Sequence, residues 1–188
     1  MRYQSMPITK YLKELSSAKP IPGGGSAAAL VASVGVSLSL MVARITIKKL
    51  KGDKRGKCAK LIKDLSRVQK RIQVIIDKDP AVYEKLIKSY RLPKANKKRA
   101  RQIGKSLTAS YGVMKELCLR LRDMSVINKK LITLSRGTIT NDLLVSQLFI
   151  KSSLNAAAQT AHVNIYCMKS VTMRKKLSKE IQHIKKNS

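Results

Sequence analysis

Three glycines, Gly23-Gly24-Gly25, follow Pro20-Ile21-Pro22 and lead through Ser26 into the apolar run Ala27-Ala28-Ala29-Leu30. Glycines directly before a helix leave backbone N–H groups open to a common space and let a ligand approach the main chain. The helix N-terminus adds partial positive charge. That arrangement suits an anionic or carbonyl-bearing ligand, although a flexible turn with Ser26 as N-cap has the same sequence signature. The run is neither a Walker phosphate loop nor a dinucleotide-binding GxGxxG fingerprint.

Carboxylates are scarce, ten Asp+Glu against 40 Lys+Arg, yet two of them share the triplet Asp77-Lys78-Asp79. Residues two apart diverge on a helix, whereas Asp79 and Tyr83, four apart, share a face. Asp79 is a candidate general acid/base. It is equally an N-cap ahead of Pro80, and the backbone N–H bonds of a cap would lower its pKa and weaken it as an acid. Cys58, Cys118 and Cys167 are widely spaced, and His162 and His183 are the only histidines, so no metal site is expected. The cysteines read as reduced, buried thiols, and His162 as a core or interface histidine.

The elements that must position these groups read as helices almost throughout. Ile8, Tyr11, Leu12 and Leu15 share one face of a short first helix, ended before Pro20. Ser26 opens a second helix that runs to about Lys48. Leu61, Leu65, Val68, Ile72, Ile75 and Ile76 mark a long amphipathic third, which Asp79-Pro80 is expected to interrupt and Arg91-Leu92-Pro93-Lys94 to stop. Asn96 can cap the next, carried by Ile103, Leu107, Tyr111, Met114, Leu117, Cys118 and Leu121. The segment 142–168 is mostly apolar, and a basic amphipathic tail occupies 171–188. The fold class is all-α, a helical bundle in a single domain, 1–188. Two helices, 27–46 and 142–168, are apolar almost all round and must be central, with a second copy of the chain covering what remains. The charge-free stretch 27–43 is shorter than the ~20 residues a membrane span needs and carries serines, so it reads as a core helix. With no secretory signal at the start, a soluble, cytoplasmic protein is expected.

A formal charge of +30 ordinarily points to nucleic acid. The basic residues are spread over every exposed face, however, without interleaved aromatics or a zinc-finger or RNA-recognition signature.

The segment Pro22–Leu30, followed by Met41-Val42-Ala43 and Thr46, resembles the signature of the folate cyclodeaminase/cyclohydrolase family. The resemblance continues in order through Asp77-Lys78-Asp79-Pro80-Ala81-Val82-Tyr83, Arg91-Leu92-Pro93-Lys94, Asp142-Leu143-Leu144-Val145 and Val163-Asn164-Ile165. It implies an all-helical homodimer acting at the one-carbon unit of tetrahydrofolate. The two reactions are closure of formimidoyl-tetrahydrofolate to the 5,10-methenyl form with loss of ammonia, and hydrolysis of the methenyl ring. Both pass through a tetrahedral carbon between two nitrogens and need a proton donor/acceptor rather than a cofactor. Asp79 falls where the family's catalytic aspartate stands. Gly23, Gly24, Gly25, Ser26, Tyr83 and Asn164 are implied to bind substrate. Asp142 would hold pterin N–H groups or cap its own helix. Arg91 and Lys94 would pair with folate carboxylates or form a solvated basic turn, and the basic charge would attract polyglutamylated folates. Thr160, where the family usually has Asn, and Pro80 depart from the pattern. The competing reading is a helical scaffold that kept the fold, lost the chemistry and binds nucleic acid.

Overall fold

The computed structural model describes residues 2–187. Six α-helices account for most of them: α1 (Ile8–Leu15), α2 (Gly24–Thr46), α3 (Gly52–Tyr90), α4 (Arg99–Leu134), α5 (Thr140–Tyr166) and α6 (Val171–Lys186). Short 3-10 turns occupy Tyr3–Ser5 and Ile47–Lys49, and no strand occurs among the described residues.

The pair α2 and α5 forms the centre. They run antiparallel, with Gly24 beside Thr160 and Gly35 against Ser146 and Phe149. A Cβ at Gly35 would lie 3.3 Å from the Phe149 Cβ, so the missing side chain is what lets the two backbones approach. Ala28, Ala29, Ala32 and Ala43 continue that small-residue surface and are buried. Helix α3 packs on α2, α4 packs on α3 and α5, and α6 closes over α4 and α5. The periodic apolar residues of the long helices face inward, among them Leu65, Ile72 and Ile75 of α3 and Leu107, Met114, Leu117 and Leu121 of α4. Each such side chain contributes about 1.5–3 kcal/mol on burial, before the entropy cost of ordering it.

Helix α2 with its following turn is long and apolar enough to cross a membrane, but 61% of its most apolar window is buried within the bundle. The expectation that α2 and α5 are central is met, and each also keeps an apolar strip facing outward: Val31, Val34, Met41 and Ile45 on α2, and Leu144 and Leu148 on α5.

Several local expectations are corrected. Asp79-Pro80 does not interrupt a helix, because Pro80 lies inside the continuous α3. A proline has no N–H for the carbonyl four residues earlier. Here that carbonyl, Ile76, accepts a hydrogen bond from Ser26 Oγ at 2.8 Å. The neighbouring helix thus supplies the donor that Pro80 lacks. Ser26 itself is not an N-cap, since Gly23 holds that position and Ser26 lies inside α2. Asn96 precedes α4 by a turn, with Oδ1 accepting from the Lys98 N–H at 2.9 Å, rather than capping it. Asp142 lies in the first turn of α5, with Ile139 at the cap. Cys58 and Cys118 are buried as expected, but Cys167 is exposed.

Candidate active site at the α2 N-terminus

Ser26 joins three elements. Because its single hydroxyl hydrogen goes to Ile76, it accepts from the buried Tyr11 hydroxyl, 2.9 Å away. Its backbone N–H, one of the four at a helix start without an intrahelical partner, donates to Asp79 Oδ2 at 2.9 Å. Asp79 therefore caps a helix, but α2 rather than its own. A Cβ on Gly25 would fall 2.5 Å from Asp79 Oδ1, so the carboxylate lies flat against a bare glycine backbone.

The triplet around Asp79 divides as helical geometry requires. Asp77 Oδ1 accepts the backbone N–H groups of Tyr3 at 2.5 Å and Gln4 at 3.2 Å, fastening the N-terminal segment. Lys78 pairs with Glu116 at 2.8 Å on the surface. Of the three, only Asp79 lines the neighbouring cavity.

A cavity of about 290 Å³ opens here, lined by Gly23, Gly24 and Gly25, by Asp79 and Tyr83 of α3, by Ser110 of α4, and by Gln159, Thr160, Val163 and Asn164 of α5. Burial pushes the Asp79 carboxyl up from its ordinary range, and the Ser26 N–H only partly offsets this. The expected acid-weakening effect of capping is thus outweighed by desolvation. A carboxyl tuned upward, with one oxygen held by an amide and the other against glycine, holds a proton more readily than an ordinary carboxylate and so suits a general acid/base.

Of the residues singled out in the sequence, Gly23, Gly24, Gly25, Asp79, Tyr83 and Asn164 line this one cavity, and Ser26 abuts it through its bond to Asp79. Arg91 and Lys94 are not brought there. Arg91 caps the far end of α3, twelve residues or about 18 Å of helix beyond Asp79, and both residues are exposed. Asp142 starts the same helix that carries Asn164 near its other end, about 33 Å away along the axis. His162 is half-buried and faces α6. Thr160 donates its hydroxyl to the Ala156 carbonyl at 3.0 Å, so it faces the cavity only as an acceptor, where an Asn would offer both kinds of group. Sequence reasoning missed Ser110. Its signal is a serine set among Leu107, Tyr111 and Met114 on the inward face of α4. Among the described residues, no three His, Cys, Asp or Glu gather as a metal cluster.

The chain is 27% identical over 164 residues to a methenyltetrahydrofolate cyclohydrolase of Methylorubrum extorquens, covering 84% of this chain and 78% of that protein. Its fold matches the crystal structure of formiminotetrahydrofolate cyclodeaminase from Thermotoga maritima with a TM-score of 0.89 at 18% identity, covering 98% of this chain and 90% of that one. The family model described as Formiminotransferase-cyclodeaminase matches residues 7–183. On that match, which runs from before α1 to the last turns of α6, the chain belongs to the formiminotransferase-cyclodeaminase family.

Proposed function

We propose that this protein hydrolyses 5,10-methenyltetrahydrofolate to a formyl-tetrahydrofolate, with Asp79 as the general acid/base. The observation that carries the reading is the Asp79 carboxyl itself, raised by burial and aimed into a glycine-walled cavity at a helix N-terminus. The cyclohydrolase relative favours hydrolysis over the deaminase reaction, because it matches by sequence and not by fold alone.

In the proposed step Asp79, ionised, takes a proton from water as its oxygen bonds to the carbon between the two ring nitrogens. The tetrahedral adduct then collapses: Asp79 returns its proton to the departing nitrogen, the C–N bond breaks, and the adduct hydroxyl releases its proton to solvent as the carbonyl forms. The methenyl cation sits favourably beside a carboxylate in a site of low dielectric. Tyr83 of α3 and Asn164 of α5 would contact the pterin.

A second cavity, about 700 Å³ between α5 and α6, shares Gln159 and Val163 with the first and carries Arg174, Lys175 and Lys179. This supports a substrate whose anionic glutamate tail, single or polyglutamylated, leaves the slot along α6, in place of the expected pairing with Arg91 and Lys94. The outward apolar strips of α2 and α5 support a homodimer. The nucleic-acid alternative has only diffuse surface charge behind it.

The test is absorbance of the methenyl compound in the presence of purified protein. Loss of the signal supports hydrolysis. Its appearance from formimidoyl-tetrahydrofolate would assign the deaminase reaction instead. Neither change, together with an Asp79→Asn variant indistinguishable from the parent, would remove the enzymatic reading.

A further inference from the structure

Among the described residues, three buried side-chain atoms have no hydrogen-bond partner: Ser110 Oγ, Ser153 Oγ and Arg120 Nε. For a hydroxyl inside a helix this is unusual, because the carbonyl four residues back is within reach. Ser33, Ser37, Ser66, Ser89, Thr108 and Thr160 all donate to it, at 2.8 to 3.0 Å. Ser110, in the middle of α4, does not, although it is only 3% exposed. A buried hydroxyl that water cannot reach carries a desolvation cost that the folded chain alone leaves uncompensated. Ser153 shares that condition but does not line the Asp79 cavity, whereas Ser110 does.

We infer that Ser110 is a substrate-positioning residue, its hydroxyl turning about χ1 into the cavity to pair with a polar ring atom of the reduced pterin held against Asp79. This rests on the proposed folate reaction and deepens it by adding a contact from a further helix. The glycine N–H groups come from α2, the proton-handling carboxylate from α3 and Asn164 from α5. Ser110 brings α4 to the same cavity, so a bound ring would be held from four helices. A hydroxyl both donates and accepts, which suits a heterocycle edge that alternates N–H and carbonyl groups. It is remote in sequence from the proton-transfer group and would bond the ring equally before and during reaction. Its contribution therefore falls on KM and not on kcat.

Ser110→Ala and Ser153→Ala are compared with the unsubstituted chain by steady-state hydrolysis of methenyltetrahydrofolate, or closure of the formimidoyl compound if that is the one turned over, and by thermal melting without ligand. Ser110→Ala is expected to raise KM about 3- to 10-fold, the loss of one neutral hydrogen bond, with kcat changed less than about twofold. Its melting temperature should be unchanged or higher, because an uncompensated buried hydroxyl has been removed. Ser153→Ala should leave both kinetic constants unchanged. An unchanged KM in Ser110→Ala, a fall confined to kcat, or a destabilised or unfolded variant would each overturn the inference while leaving the folate reaction standing. If the unsubstituted protein turns over neither compound, the proposed function fails first and this contact with it.

Discussion

Two polar clusters are buried along the α2–α5 pair, and they are built on opposite terms. Near the middle of α2, Ser39 Oγ donates to Asn128 Oδ1 at 2.7 Å and lies 2.8 Å from Ser146 Oγ, which donates to the Gly35 carbonyl at 2.8 Å. The Asn128 amide in turn donates to the Leu143 carbonyl and to Gln147 Oε1, at 2.9 and 3.0 Å. Every hydrogen-bonding group of the Asn128 side chain is used, and the residue is fully buried. At the N-terminal end of α2 the accounts stay open: Asp79 is desolvated with a single intramolecular donor, and Ser110 has no partner. A closed network fixes how helices register. An open one, in a cavity, is held ready for something the chain does not contain.

If that contrast is correct, the two clusters should fail differently. The largest effect is expected for Asp79→Asn, which keeps the size and an acceptor for the Ser26 N–H but removes the proton carrier. Turnover should fall by about 10²- to 10⁴-fold with the fold intact by circular dichroism. A loss below tenfold would demote Asp79 to a cap.

Asn128→Ala should do the reverse. It removes the bonds to Ser39, Leu143 and Gln147 and leaves a void, costing about 2–3 kcal/mol in denaturant unfolding, while kcat of the folded fraction stays near the parent value. An equal loss of both would mean that the clusters are coupled.

Gly25→Ala sharpens the geometry. Its Cβ would collide with the Asp79 carboxyl group, so the carboxylate must turn away. Activity should drop at least about tenfold, with stability changed by about 1 kcal/mol or less, since Ala favours the helix.

The pH dependence separates them further. Because burial raises the Asp79 pKa, its effect on stability is favourable in acid and is lost as pH rises through the folded value. Asp79→Asn should therefore melt at or above the parent temperature at neutral pH, an advantage that shrinks as pH falls toward the ordinary carboxylate range. The parent's turnover should decline on the acid side at a pH above that ordinary range. A variant less stable than the parent at pH 7 would contradict this.

The smallest effect concerns the C-terminal helix α6. Glu180 is held below its ordinary pKa by Lys115 and by the Tyr111 hydroxyl, with burial acting against them. That stability is present above the unfolded pKa and lost as pH falls through the folded one. Glu180→Gln should cost about 1 kcal/mol or less at pH 7, since the group is partly solvated, and nothing in strong acid.

Helical periodicity made the class of fold and most helix cores legible in the sequence, because apolar residues three and four apart can share burial only on a helix. It misjudged Pro80, since whether a proline ends a helix depends on who satisfies the carbonyl it orphans. That partner, Ser26, lies 50 residues away in sequence from Ile76. That contact turned Ser26 from an expected cap into a bridge, and a second one, from its backbone N–H, made Asp79 the cap of another helix. Arg91, Lys94 and Asp142 look as functional as Asp79 in sequence. Helix length alone carries them away from the cavity within one chain.

By itself, the sequence determined which residues could carry a proton, which stretches must be buried, and which family motifs occur in order. Those properties belong to side chains and to local spacing. Only the tertiary structure decided that Asp79 loses water while held by the Ser26 amide against Gly25, and that Ser110 is left without a partner in the same cavity. Desolvation and hydrogen-bond satisfaction are set by what other helices bring near, and no local pattern records that.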